Sequence, residues 1–113
     1  MPEKRTVPRK KIDMYMRVIN DDTSEILGHM VEVSKTGLRL ETVGPLPLEK
    51  DFYLRIELTA DLGPMPFIIF IARTKWCKMD AIQPNLFQVG FEIIEMVEED
   101  RQAFLRIIQK YTG

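Results

Sequence analysis

Arg5 and Arg9 stand four positions apart on either side of Pro8, near the start of the chain. Pro8 biases Val7 toward extended backbone, so both guanidinium groups hang from an extended segment, and four extended residues span at most about 14 Å. A guanidinium offers parallel donors in a planar fork and stacks on flat rings. Two of them can clamp a dianion or grip the O6/N7 edge of a purine. Alone, R-x-x-x-R says almost nothing, because most basic N-terminal tails are solvated and unattached. Its meaning comes from Glu32-Val33-Ser34-Lys35-Thr36-Gly37 further along. On an extended strand Glu32 and Ser34 share one face and Val31 and Val33 the other. A carboxylate and a hydroxyl then emerge together beside a turn in which Gly37 can take a positive φ. Such a pair can hydrogen-bond the ring N–H and amino edge of a guanine, or a phosphate.

The other reactive residue types are isolated. His29 has no second metal ligand in view and reads as an ordinary surface or core histidine. Ser34 lacks the G-x-S-x-G surroundings of a nucleophile, and the acids form no recognisable catalytic pair. The expectation is a protein that is not an enzyme and holds no metal. Cys77 is the single cysteine, which excludes an internal disulfide and a multi-cysteine zinc site and fits a reducing compartment. Trp76, just before it, shares strand parity with Phe70 and Ala72, so Trp76 and Cys77 are expected to pack in the core. The seven methionines read as core filler.

The elements that must carry these residues follow from periodicity. Ile12, Met14, Met16 and Val18 alternate with Asp13, Tyr15 and Arg17, as in a strand with one buried face. Asp21-Asp22-Thr23-Ser24 reads as a turn, and a second strand covers residues 25–33. After Ser34–Gly37, Leu38 and Leu40 mark a third. Beyond Pro45 and Pro47, Phe52, Leu54, Ile56 and Leu58 alternate regularly as a fourth. Residues 67–76 and 86–94 supply two more, separated by a loop over residues 80–85. This spacing of turns favours an antiparallel sandwich or barrel over βαβ units. The period then changes: Val97, Phe104, Ile107, Ile108 and Tyr111 fall on one side of a helix whose first turn carries Glu98, Glu99 and Asp100, where the helix dipole favours acids. Six strands and one C-terminal amphipathic helix make an all-β core with a helical lid.

At 113 residues the chain is the size of one domain, and 45% apolar with 29% charged residues is the composition of a folded globular protein. The net charge of −1 gives no global pull toward nucleic acid or anionic membrane. The charge is unevenly placed, however. Residues 1–20 carry six basic side chains against two acidic ones, +4, which leaves −5 for the other 93. No apolar run of signal-peptide kind follows the basic start, and none reaches the roughly 20 residues of a membrane span. A cytoplasmic location and no membrane insertion are expected.

The two motifs in register resemble those of the PilZ domain, a family of bacterial cyclic di-GMP receptors marked by R-x-x-x-R and, some twenty to thirty residues later, [DN]-x-S-x-x-G. Arg5 and Arg9 match the first; Glu32, Ser34 and Gly37 match the second. The resemblance extends to Gly37-Leu38-Arg39-Leu40, to Thr74-Lys75-Trp76, and to Val89-Gly90-Phe91 ahead of the closing helix, and so covers nearly the whole chain. It implies a six-stranded antiparallel β-barrel with a C-terminal α-helix, forming one domain over residues 1–113. Residues 1–11 would be a flexible basic arm, 12–96 the barrel and 97–112 the helix. It also implies that Arg5 and Arg9 hold the bases and phosphates of cyclic di-GMP, that Glu32 and Ser34 address guanine edges, and that Gly37 allows the turn. Lys4 would be a further contact to the ligand or to a second stacked copy. Glu32 departs from the family's Asp or Asn. Its extra methylene displaces the acceptor by about 1.5 Å, one C–C bond.

Three functions follow as expectations. The first is a cyclic di-GMP receptor, without other cofactor, whose arm reorganises on binding and signals to a partner protein in motility, pilus, exopolysaccharide or biofilm control, as a monomer or weak dimer. The second is an interaction adaptor of the same fold that has lost the nucleotide, a reading that Glu32 favours. The third, single-strand nucleic-acid binding through the arm, Tyr15 and Tyr53, is disfavoured by the −5 remainder and the scattered aromatics.

Overall fold

The structure is a computed structural model that describes residues 9–113. Its strands are β1 (Lys10–Lys11), β2 (Arg17–Asn20), β3 (Ile26–Val33), β4 (Gly37–Thr42), β5 (Asp51–Glu57), β6 (Phe67–Met79) and β7 (Phe87–Glu95), followed by helix α1 (Glu98–Tyr111). A single 3-10 turn, Ala60–Leu62, lies between β5 and β6. Strands β2 to β7 run antiparallel in the order β3-β2-β5-β6-β7-β4, and a further β3–β4 pairing closes the sheet into a six-stranded barrel. Closure leaves no long open edge, so the backbone ladder is satisfied without a partner. The all-β fold with one C-terminal helix agrees with the sequence expectation.

Alternation fills the interior. Val18, Met30, Val33, Leu38, Leu40, Leu54, Ile56, Ile68, Phe70, Ala72, Val89 and Phe91 all point inward and are buried. α1 contributes Ala103, Phe104 and Ile107, each without exposed surface, together with Leu62 from the 3-10 turn. Each such large side chain contributes about 1.5–3 kcal/mol on burial. Val97, expected on this apolar side, instead precedes the helix and is exposed, because its extended backbone makes it the N-terminal flanking residue.

The first strand is shorter than its alternation suggests. β1 pairs with β3 at Lys11↔Glu32 and β2 at Arg17↔His29, so six steps of chain on one side oppose three on the other. The surplus bows away from β3, and the Asp13 N–H donates to the Tyr111 carbonyl at 2.7 Å, at the end of α1. Side-chain alternation survives there, with Met16 and Val18 buried and Tyr15 and Arg17 exposed, but the ladder is replaced by a bond to the helix.

Single extra residues interrupt the pairing elsewhere. Met30↔Leu40 is followed by Glu32↔Arg39, leaving Val31 over. Thr74↔Phe91 is followed by Trp76↔Gly90, leaving Lys75 over. Each such bulge reverses which face the following residues occupy. The second of these corrects the expectation for Trp76. Thr74 is buried inside the barrel, but beyond Lys75 it is Cys77, opposite buried Val89, that faces the core, and Trp76 stands outside.

Candidate functional site

On the outer face the pairings Trp76↔Gly90, Gly90↔Arg39, Arg39↔Glu32 and Glu32↔Lys11 form one continuous row across β6, β7, β4, β3 and β1. Parity on β4 requires this: Leu38, Leu40 and Thr42 go inward, so Arg39 and Glu41 go outward. Gly90 is the low point of the row. A Cβ there would lie 2.1 Å from the Trp76 Nε1, so the indole rests on the glycine backbone and only glycine admits it. Lys78 sits over the ring, its Nζ 5.7 Å from the centroid.

Glu32, Arg39 and Trp76 of this row form the floor of an open cleft of about 530 Å³, which Arg9, Lys78, Met79, Asp80, Ala81 and Gln88 also line. A chain of polar contacts crosses it. The Asp80 carboxylate accepts from the Gln83 N–H at 3.0 Å and the Ile82 N–H at 3.1 Å, and from the Gln88 side-chain amide at 2.9 Å. These donors, the two backbone groups foremost, hold its carboxyl below the usual carboxylate range. Gln88, with its amide nitrogen fixed by Asp80 and by Glu41 at 3.2 Å, turns its oxygen to accept from Arg39 Nη1. Arg39 Nη2 lies 3.3 Å from Glu32 Oε2, and Glu32 Oε1 lies 4.0 Å from Arg9 Nη1. The side chains of Arg9, Arg39 and Glu32 are only 32%, 20% and 23% exposed. The floor thus combines guanidinium forks with an aromatic plane, groups suited to an anion that carries flat bases.

The motif residues divide. Arg9 and Glu32 both line the cleft, with Arg9 Nη1 4.0 Å from Glu32 Oε1. Lys4 and Arg5 lie outside the described residues. Ser34 does not line the cleft: it is buried, and its Oγ accepts from the backbone N–H groups of Thr36 at 3.3 Å and Gly37 at 3.2 Å, closing the β3–β4 turn. Gly37 does not take a positive φ, which among the described glycines only Gly63 and Gly113 do. It is required instead by close approach, since a Cβ would lie 2.5 Å from the Phe91 carbonyl oxygen across β7. Neither Tyr15, against His29, nor Tyr53, on β5, lines the cleft.

Sequence reasoning did not single out Arg39, Gln88, Asp80 or Trp76 as site residues. Arg39 was legible in principle, as the outward residue opposite Glu32 across a tight hairpin. Gly90, an isolated glycine inside a strand, signals a close approach of some bulky group but not which one. Among the described residues no three His, Cys, Asp or Glu side chains gather as metal ligands. No described helix is long and apolar enough to cross a membrane.

Solved structures with the same fold include three relatives. The inhibitor of motility MotI/DgrA of Bacillus subtilis superposes with a TM-score of 0.70 at 17% identity, covering 96% of this chain and 53% of that one. The PilZ domain of YcgR from Escherichia coli, solved with c-di-GMP, gives 0.68 at 13% identity over 96% and 92%. The MrkH–c-di-GMP complex of K. pneumonia gives 0.72 at 17% identity over 96% and 52%. The present chain therefore spans about half the length of MotI/DgrA and of MrkH. No curated protein matches it in sequence. The sequence model of the PilZ domain matches residues 3–110, and with the barrel and the closing helix in place, this chain belongs to the PilZ domain family.

Proposed function

We propose that the domain is a cyclic di-GMP receptor that binds the nucleotide in the cleft between Trp76 and Arg9, without catalysis and without any other cofactor. The observation that carries this is the convergence on one cleft of Arg9 and Glu32, which stand at family-motif positions, with Arg39 beside them. Two structural relatives, YcgR and MrkH, are described with c-di-GMP bound. Arg5 and Arg9 grip the phosphates and guanine faces, with Lys4 adding charge. Ser34 and Gly37 shape the hairpin that carries Glu32 and Arg39 on its outer face. Ordering the arm costs about 1–2 kcal/mol per residue, so its closure depends on the ligand's charges. The closed arm then presents a surface to a partner protein in the cytoplasm, and the relative named as an inhibitor of motility points to motility control.

Isothermal titration with cyclic di-GMP tests this: the wild type is expected to give saturable heat, and Arg5→Ala and Arg9→Ala each to weaken binding at least tenfold. Absence of heat from the folded wild type overturns it. One observation favours a second reading, an adaptor that no longer binds the nucleotide: Glu32 faces both Arg9 and Arg39. That reading requires a silent wild type and binding restored by Glu32→Asp.

A further inference from the structure

We infer that Glu32 is a built-in competitor for the cleft, and that Arg39 is a third ligand-gripping arginine which this carboxylate keeps occupied. The inference rests on the cyclic di-GMP reading and specifies which groups the ligand must displace. The two oxygens of Glu32 face different guanidinium groups, Oε2 lying 3.3 Å from Arg39 and Oε1 4.0 Å from Arg9. A phosphodiester offers the same thing, two oxygens sharing one negative charge, and satisfies the same donors. Carboxylate and phosphodiester therefore exclude one another at these two forks. Length matters: an aspartate at this position carries its oxygens about 1.5 Å less far from β3, one C–C bond, and so pairs less closely with the two arginines. The residue that departs from the family motif thus strengthens the competition.

Arg39 is prepared to stay when Glu32 leaves. Its Nη1 donates to the Gln88 side-chain oxygen, and the Gln88 amide is held in turn by Asp80 at 2.9 Å and Glu41 at 3.2 Å. Gln88 is neutral, so it fixes the direction of the guanidinium and leaves its charge for the ligand. With Gly90 beside it in the row and the Trp76 indole beyond, Arg39 sits where one phosphate of the ligand meets the floor while a base lies toward the indole.

The sign of one substitution separates competition from contact. In calorimetric titrations of the full chain with cyclic di-GMP, Glu32→Gln and Glu32→Asp are expected to tighten binding about tenfold, the equivalent of about 1.4 kcal/mol. Arg39→Gln is expected to weaken binding about tenfold, both alone and on top of Glu32→Gln. Circular dichroism melts of each variant establish that it is folded. A wild type without heat beside a Glu32→Gln variant that binds is competition at its extreme and supports the inference while removing the receptor reading. A wild type that binds, with Glu32→Gln equal or weaker, overturns the competitor and leaves the receptor reading standing, as does an Arg39→Gln variant of unchanged affinity for the third arginine. No heat from any variant overturns both.

Discussion

Gly90 and Trp76 are two halves of one contact, and the cleft depends on it. The indole lies where any other residue at position 90 would place its Cβ, 2.1 Å from Nε1 and 2.3 Å from the adjoining ring carbon. The ring is rigid and cannot fold aside as a lysine would. Gly90→Ala is therefore expected to expel the indole from the row and to lower stability by about 1–3 kcal/mol, as overpacking does. Thermal melts and the emission spectrum of the single tryptophan read both effects, and an unchanged emission maximum contradicts the packing. Arg9 and Glu32 were legible in the sequence because spacing and residue type carry the information. Trp76 was not: parity assigns it to the core, and only the surplus residue Lys75 turns it outward. Whether a strand accommodates an extra residue is decided by its partner strand, which no local pattern encodes.

At the scale of elements, α1 closes one end of the barrel and is tied down by two kinds of contact. Phe104 and Ile107 are buried beneath it, while Arg106 Nε donates to the Leu62 carbonyl at 2.7 Å. Asp61, next to Leu62, accepts from the hydroxyls of Thr59 and Tyr111 and lies 3.1 Å from the Lys110 ammonium. These contacts, the Thr59 hydroxyl first, hold its carboxyl well below the usual carboxylate range. A carboxylate whose pKa is depressed on folding stabilises the fold above its unfolded pKa of about 3.9, and that contribution is lost as pH falls toward the folded value. Asp61→Asn is thus expected to lower the melting temperature near neutral pH, with the gap to wild type narrowing between about pH 5 and pH 2. Melts followed by circular dichroism across that range test it, and a gap that stays constant contradicts the assignment. The helix was legible from its period, and so were the strand centres. The break between β1 and β2 was not, because the bond from Asp13 to Tyr111 exists only once α1 has docked.

Over the whole molecule, a net charge of −1 conceals a positive first segment set against a negative remainder. The fold gives that division a place: Lys10 and Lys11 pair with β3, and Arg9 just before them lines the cleft where Glu32 and Arg39 meet. A closed barrel with a plugged end offers a rigid floor, and the basic segment joins it at one side. The central claim is that cyclic di-GMP binds on this floor. Chemical-shift mapping of the isotope-labelled protein tests it most directly, since the indole N–H of Trp76 is a single resolved probe inside the cleft. Titration with cyclic di-GMP is expected to shift that signal together with the amides of Arg39, Gln88 and Gly90, all saturating at one ligand concentration. Shifts confined to β5 or to the exposed side of α1, or no shifts at all, would contradict the account.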